Sequence, residues 1–303
     1  MKSHTSKDIS ISDTRTIELG AISIVIVLYF PTKEDINNII HISQLGYNLV
    51  VVDNSNTTHE FELGIYNIEY IFNGENQGIA KALNTGIKKA IKQNKDGFII
   101  LLDQDSRISD NYPLEIAKEY NRISKHIHLS ALGPKVIQKT TKEVYTSFIH
   151  KEKPNNYHFL PQKDIITSGC CISKDVIEKI GFFDEILFID FVDTEWCYRA
   201  NHLGLTCGIT TNLNISHMIG LGELRIGKHI VTLSAPTRYY YIYRNYIFLC
   251  LRKYVPHSYK INFGIKLFLR FFYLPFFIEH SLLCWKSMIS GIKDGISAIF
   301  THK

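Results

Sequence analysis

The 303-residue sequence holds no C-x-x-C pair among its six cysteines, Cys170, Cys171, Cys197, Cys207, Cys250 and Cys284, so a zinc ribbon or finger is excluded as its organising element. Scattered thiols of this kind fit a reducing compartment and packing roles. There is no G-x-x-x-x-G-K-[ST] phosphate loop, and "VLYFPTKED" stands where a dinucleotide-binding G-x-G-x-x-G would follow the first apolar run. No uninterrupted apolar run reaches 18 residues, which argues against a membrane-spanning helix. The first 18 residues are polar and rich in Ser, Thr and Asp, with no hydrophobic core of a signal peptide, and are expected to form a flexible leader.

What is present is enough to fold. At 45% hydrophobic and 21% charged, the chain can bury a sizeable core, as one large domain with an appendage or as two domains. Its net charge of +5 is unevenly spread. Up to His217 there are 22 Lys and Arg against 26 Asp and Glu, and from Met218 onward 12 against 3, so the two parts face different partners.

The first part alternates strand and helix patterns. "ISIVIVLYF" (Ile22 to Phe30) predicts a buried strand, followed by a helix with Thr32 and Asp35 at capping-box spacing, apolar Ile36, Ile39 and Ile40, and Gly46 as a stop. "NLVVVDNSN" predicts a second strand ending in Asp53, "IEYIFNGENQG" a third, and "GIAKALNTGIKKAIKQ" another helix before the strand at Phe98. Such alternation implies an α/β fold with a mostly parallel, right-handed wound sheet flanked by helices. Asp53 with Asn54, Asn76-Gln77-Gly78, and Asp103 with Asp105 then fall at successive strand ends on one edge, where open α/β sheets bind ligands.

"FIILLDQDSRIS" is the densest of these signals. Five apolar residues read as a strand buried on both faces, and two carboxylates one residue apart follow at once. Asp103 and Asp105 repel each other unless a cation lies between them, and hard oxygen ligands suit Mg²⁺ or Mn²⁺ shared with substrate phosphates. A solvated D-x-D turn is the alternative.

"VVDNSN", "NQGIAKALNTGI", "LLDQDS", "TSGCCISKDVIEKIGFFDE", "FIDFVDTEWCYRA" and "ISHMIGLGE" together resemble the ordered motifs of glycosyltransferase family 2, the inverting enzymes of GT-A fold, with the nearest likeness to bacterial rhamnosyltransferases. The resemblance runs from about Ile22 to Arg252 and implies a catalytic domain over 19–237. It implies that Asp105 holds the metal, that Asp103 meets the nucleoside sugar or the metal's water shell, and that Asp53 hydrogen-bonds the base. Asn76 and Gln77 would lie over the nucleotide with Gly78 allowing close backbone approach, while Ser168 and Gly169 would offer a loop beside the donor sugar. Asp193 matches the catalytic base, although Val192 stands where the family has Glu, and Asp190 and Glu195 are near enough to compete for the role. His217 is a candidate metal or diphosphate ligand, or a structural histidine. The donor implied is dTDP-L-rhamnose and the acceptor a growing cell-surface polysaccharide or polyprenyl-diphosphate-linked glycan. Another nucleotide sugar, such as a dTDP- or UDP-hexose, or a non-catalytic assembly subunit are the alternatives.

The region 238–303 has a different character. Sixteen of the chain's 37 aromatic residues lie between Arg238 and Trp285, among basic residues, with Lys266, Arg270, Glu279 and His280 interrupting the apolar runs and Pro275 set to kink them. Basic, aromatic-rich helices too interrupted to span suit an anionic membrane surface, which predicts a peripheral protein on the inner face of the cytoplasmic membrane. A helical subdomain packed on the sheet, or a homo-oligomer interface, would use the same composition. Nucleic acid is not expected as a partner, because the positive charge comes with aliphatic neighbours and no recognised binding module.

Overall fold

The computed structural model describes residues 17–93, 97–138, 154–217, 223–226, 229–232, 234–276 and 281–301; residues 1–16, most of the expected leader, lie outside them. Strands and helices follow in the order β1 (Ile22–Leu28), α1 (Lys33–Ser43), β2 (Asn48–Asp53), α2 (Glu60–Leu63), β3 (Glu69–Phe72), α3 (Ile79–Gln93), β4 (Phe98–Asp103), α4 (Tyr112–Ser124), β5 (Leu129–Gln138), β6 (Phe159–Gln162), β7 (Cys170–Ser173), α5 (Lys174–Ile180), α6 (Val192–His202), β8 (Thr206–His217), β9 (Glu223–Ile226), β10 (His229–Thr232), α7 (Pro236–Leu251), α8 (His257–Tyr273) and α9 (Ser281–Thr301).

Eight strands form one sheet of order β3-β2-β1-β4-β7-β5-β8-β6, and β9 pairs with β10 separately. The first four strands are parallel. Beyond β4 the sheet is mixed, because β7 runs antiparallel to both β4 and β5 and β6 antiparallel to β8, while β5 and β8 are parallel.

β1 shows why its pattern is continuous. All seven of its residues are buried. Ile22, Ile24, Ile26 and Leu28 enter one core with Ile36 and Ile39 of α1 and Ile116 of α4, whereas Val25 and Val27 enter the other with Leu83 and Ile87 of α3. Each full burial of an aliphatic side chain is worth roughly 1.5–3 kcal/mol, and Ser23 is the single polar residue that the strand buries among them. α1 starts at the capping box that the sequence predicts, with Thr32 accepting from the Asp35 N–H and Asp35 from the Thr32 N–H.

The C-terminal helices are not separate from this core. Tyr239, Ile242 and Phe248 of α7, Leu267 of α8 and Cys284 and Met288 of α9 belong to the same buried cluster as Val25 and Leu83. Pro275 lies in a 3-10 turn, Leu274–Phe276, between α8 and α9. Among the described residues no helix is long and apolar enough to cross a membrane. All six cysteines are free thiols, and all but Cys250 are buried.

Candidate active site

Strand register brings the predicted edge together. Leu28 of β1 faces Asp53 on one side and Val27 faces Asp103 on the other, so both aspartates flank the carboxyl end of the same central strand. The turn after β4 is fastened from several directions. The Asp103 N–H donates to Ser106 Oγ (3.1 Å), Gln104 exchanges hydrogen bonds with the backbone of Tyr29 (2.7 and 3.3 Å), and Asn38 donates to the Ser106 carbonyl (3.0 Å). Arg107 is spent on Asp35 (3.1 Å). Asp103 and Asp105 remain partly exposed on this braced turn. Among the described residues no three His, Cys, Asp or Glu side chains converge into a protein-made metal cage. A pair of accessible carboxylates at a strand end does fit Mg²⁺ or Mn²⁺, which take one or two carboxylates and complete their shell with water and phosphate oxygens. His217 closes β8 opposite Gln138, and its side chain lies outside the described residues.

Asp53 is enclosed by donors. Its carboxylate is 0% exposed and accepts from the Ser55 N–H (2.9 Å), the Tyr70 hydroxyl (2.6 Å) and His59 Nδ1 (2.7 Å). Burial pushes its pKa up, but the hydrogen bonds from Tyr70, His59 and Ser55 outweigh that and hold it below the usual value. A carboxylate enclosed in this way fixes Tyr70, His59 and the Ser55 backbone at the end of β2.

Asn54, the next residue, joins the edge to the Asn76-Gln77-Gly78 loop. Its Nδ2 donates to the Gly78 carbonyl (3.1 Å) and lies 3.4 Å from Asn76 Oδ1, and its Oδ1 accepts from Asn73 (2.7 Å). Asn76 itself is exposed and Gln77 partly so, as residues over a nucleotide would be. Gly78 has φ +83, and a Cβ there would lie 2.6 Å from the Phe188 ring. The close approach expected at this glycine is therefore made by Phe188.

Ser168 and Gly169 are both engaged within the protein. Ser168 is buried and its hydroxyl pairs with that of Ser106 at 2.7 Å, while the Gly169 N–H donates to the Leu101 carbonyl at 2.7 Å. Ser168 thus ties the D-x-D turn, and Gly169 ties β4, to the loop that enters β7. At φ +78, a Cβ on Gly169 would meet Ile215, the Tyr112 hydroxyl and Pro134 at 2.9–3.0 Å.

The three candidate bases separate clearly. Glu195 is 1% exposed, with both oxygens held by Arg199 (3.0 Å each) and a further bond from the Tyr254 hydroxyl. Asp190 is paired with Arg238. Asp193 sits in the first turn of α6, accepts from the Thr194 N–H (2.8 Å), and is partly exposed. Burial first, then the nearby Asp164 carboxylate, pushes its pKa up to about 7, against the lowering effect of the Thr194 N–H. The helix is anchored as its spacing implies: Trp196, Cys197 and Ala200 are buried, and Trp196 Nε1 donates to the Gly181 carbonyl (2.9 Å).

Asp164, Arg238, Asn245, Tyr70 and His59 had no motif to mark them. They reach the site from distant chain positions, and the signal that Arg238 and Asn245 carried is a charged or polar residue inside an aromatic stretch, "RYYYIYRNYIF".

With this geometry in view, the likeness to known proteins is specific. Residues 23–181 match the glycosyl transferase family 2 profile. The chain is 33% identical over 243 residues to the dTDP-rhamnosyl transferase RfbF of Shigella flexneri, covering 77% of this chain and 80% of that one. It is 29% identical over 200 residues to the low-salt glycan biosynthesis hexosyltransferase Agl10 of Haloferax volcanii, covering 63% of this chain and 64% of that one. Its fold resembles that of GalNAc-T7, solved with UDP, GalNAc and Mn²⁺, at a TM-score of 0.53 and 16% identity, over 78% of this chain and 53% of that structure. A GT-A fold, a family match over more than half its length and a 33% identical relative together establish that the chain is a glycosyltransferase of family 2.

Proposed function

We propose that the protein is an inverting, metal-dependent rhamnosyltransferase that moves L-rhamnose from dTDP-L-rhamnose onto a growing cell-surface polysaccharide or a polyprenyl-diphosphate-linked glycan. The observation that carries inversion is Asp193, a partly exposed carboxylate in the first turn of α6 whose pKa is pushed up to about 7. Support for the donor comes from the 33% identity to a protein named as a dTDP-rhamnosyl transferase.

In this reading Asp193 accepts the proton of the acceptor hydroxyl as that oxygen bonds to C1 of rhamnose. The bond from C1 to the diphosphate breaks on the opposite face, its electron pair leaves with the diphosphate, and C1 inverts through an oxocarbenium-like state. Asp105, with Asp103 and in this reading His217, would hold Mg²⁺ or Mn²⁺; when bound, the cation supplies positive charge against the departing diphosphate. Asn76 and Gln77 cover the nucleotide, and Asp53 orders its pocket through Tyr70 and His59.

We assign the C-terminal face to an anionic lipid surface on the cytoplasmic side, which brings a lipid-linked acceptor within reach. On α8, Ile261, Ile265, Phe268 and Phe272 are exposed at spacings of four, three and four residues, forming one outward stripe. On α9, Leu282, Ile289 and Ile296 are exposed at seven-residue intervals, with Lys286 and Lys293 between them on the same stripe. Apolar side chains with interleaved lysines complement acyl chains beneath anionic headgroups.

Donor choice is tested by saturation-transfer NMR and calorimetry with dTDP-L-rhamnose, dTDP-glucose and UDP-hexoses, each with and without Mg²⁺. Tighter binding and turnover with dTDP-L-rhamnose are expected. Preference for a UDP-hexose would replace the donor assignment.

A further inference from the structure

The segment leading into α6 adopts backbone conformations that residues with a Cβ seldom occupy: Phe188 (φ 64, ψ −66), Asp190 (φ 65) and Phe191 (φ 64, ψ 6). Had this segment only to connect two helices, glycine would relax these torsions, yet Phe, Asp and Phe stand there. α7 enforces the conformation. Asn245 is 0% exposed, and its Nδ2 lies within hydrogen-bond distance of the carbonyls of Leu187 (2.7 Å), Ile189 (2.8 Å) and Asp190 (3.0 Å). Its Oδ1 accepts from Arg244 Nε and Nη2 (3.0 and 2.9 Å), which fixes the orientation of the amide. Two turns earlier on α7, Arg238 grips both oxygens of the Asp190 carboxylate, at 3.2 and 2.5 Å.

The same segment touches the nucleotide side. The Phe188 carbonyl accepts from the Ala80 N–H at the start of α3 (3.3 Å), and the Phe188 ring fills the space that a side chain at Gly78 would need. Three residues after Asp190 comes Asp193. The segment is thus wedged between the loop assigned to the nucleotide and the helix that carries the base.

We propose that Asn245 and Arg238 are positioning residues for glycosyl transfer: by holding the strained segment 188–191 they set the position of Asp193 relative to the Asn76–Gly78 loop. Both lie on α7, beyond the 23–181 stretch of the family match. The C-terminal region is then part of the catalytic machinery as well as a surface for docking. This rests on the reading of Asp193 as the base, so the experiment includes that residue.

Single-turnover rates at saturating donor, donor Kd by calorimetry and melting temperature are measured for Asn245→Ala, Asp193→Asn and the double variant. Asn245→Ala is expected to slow the chemical step about 100-fold, comparable to losing a general base, with donor Kd within about threefold of the parent. In the Asp193→Asn background the same substitution should cost less than about threefold more, because a residue acting through Asp193 has little left to lose. Full multiplication of the two losses, or a parental rate for folded Asn245→Ala, overturns the proposal. If Asp193→Asn keeps the parental rate, the base assignment falls and this coupling falls with it; a slow Asp193→Asn beside a parental Asn245→Ala sinks the coupling alone. Should Asn245→Ala fail to fold, the same cycle is run with the partly exposed Arg238. There Arg238→Met should be slow and Arg238→Lys, which keeps a cation on Asp190, should recover most of the rate; equal rates for the two overturn the proposal.

Discussion

The Thr194 hydroxyl donates to Asp164 Oδ2 at 2.9 Å, which sets a second carboxylate beside the residue that follows Asp193. Asp164 comes from the loop between β6 and β7, 29 positions earlier, and burial pushes its own pKa up. Asp190, Arg238, Tyr259 and Cys170 also lie within electrostatic reach of Asp193, and Arg238 is the cation among them.

The pH dependence of turnover follows from that arrangement. A base must be ionised to act, so kcat should fall as pH drops through about 7. Asp164→Asn should move this midpoint downward, since it removes a neighbouring negative charge, but not to the ordinary Asp value, because burial is the larger cause. A pH–kcat profile of both enzymes checks it; an unmoved midpoint would mean that Asp164 does not tune the base.

Stability should show the opposite side of the same shift. Unfolded Asp ionises near 3.9, whereas Asp193 in the folded chain holds its proton to about 7, so between these values the native state binds more protons and loses stability as pH rises. Asp193→Asn removes that loss. Its melting temperature should exceed the parent's at pH 8, by roughly 2–4 °C for each kcal/mol recovered, and match it near pH 4. Equal melting curves at pH 8 would contradict the shifted pKa.

Donor affinity and rate should separate between the two ends of the site. With Asp105 as the proposed metal ligand, Asp105→Asn should abolish most Mg²⁺-dependent donor binding together with turnover. Asp193→Asn should keep donor affinity and slow the chemical step by about two to four orders of magnitude. Calorimetry beside single-turnover kinetics distinguishes them, and parental Mg²⁺ and donor affinity in Asp105→Asn would remove it from the metal site.

Reversal of Lys266, Lys286 and Lys293 to Glu should reduce co-sedimentation with phosphatidylglycerol vesicles, and the parent's binding should weaken as salt rises. All three are exposed, so folding should survive. Unchanged sedimentation of the folded variant, or a salt-independent dimer through the α8 and α9 stripe, would assign that face to something other than lipid.

Much of the fold was legible locally. The continuous apolar runs of β1 and β4 carried double-sided burial, Thr32 and Asp35 carried a helix start, and Pro275 carried a break, because each depends on residues a few positions apart. The strand-end placement of Asp53, Asp103 and Asp105 followed from the βα alternation, and the position of Asp193 from a motif. The mixed half of the sheet was not legible: whether β7 pairs with β4 in reverse depends on contacts across 70 residues.

By itself the sequence determined the first four strands, β1 to β4, which polar residues end them, and that the C-terminal region is basic and aromatic. Only the tertiary structure decided which of those polar residues are committed. Asp53 became a buried brace once Tyr70 and His59 closed on it, Ser168 tied itself to Ser106 of the D-x-D turn, and Glu195 and Asp190 were claimed by Arg199 and Arg238. The physical reason is that a carboxylate's availability is set by the donors that surround it in space, and here those donors arrive from chain positions that no local spacing connects.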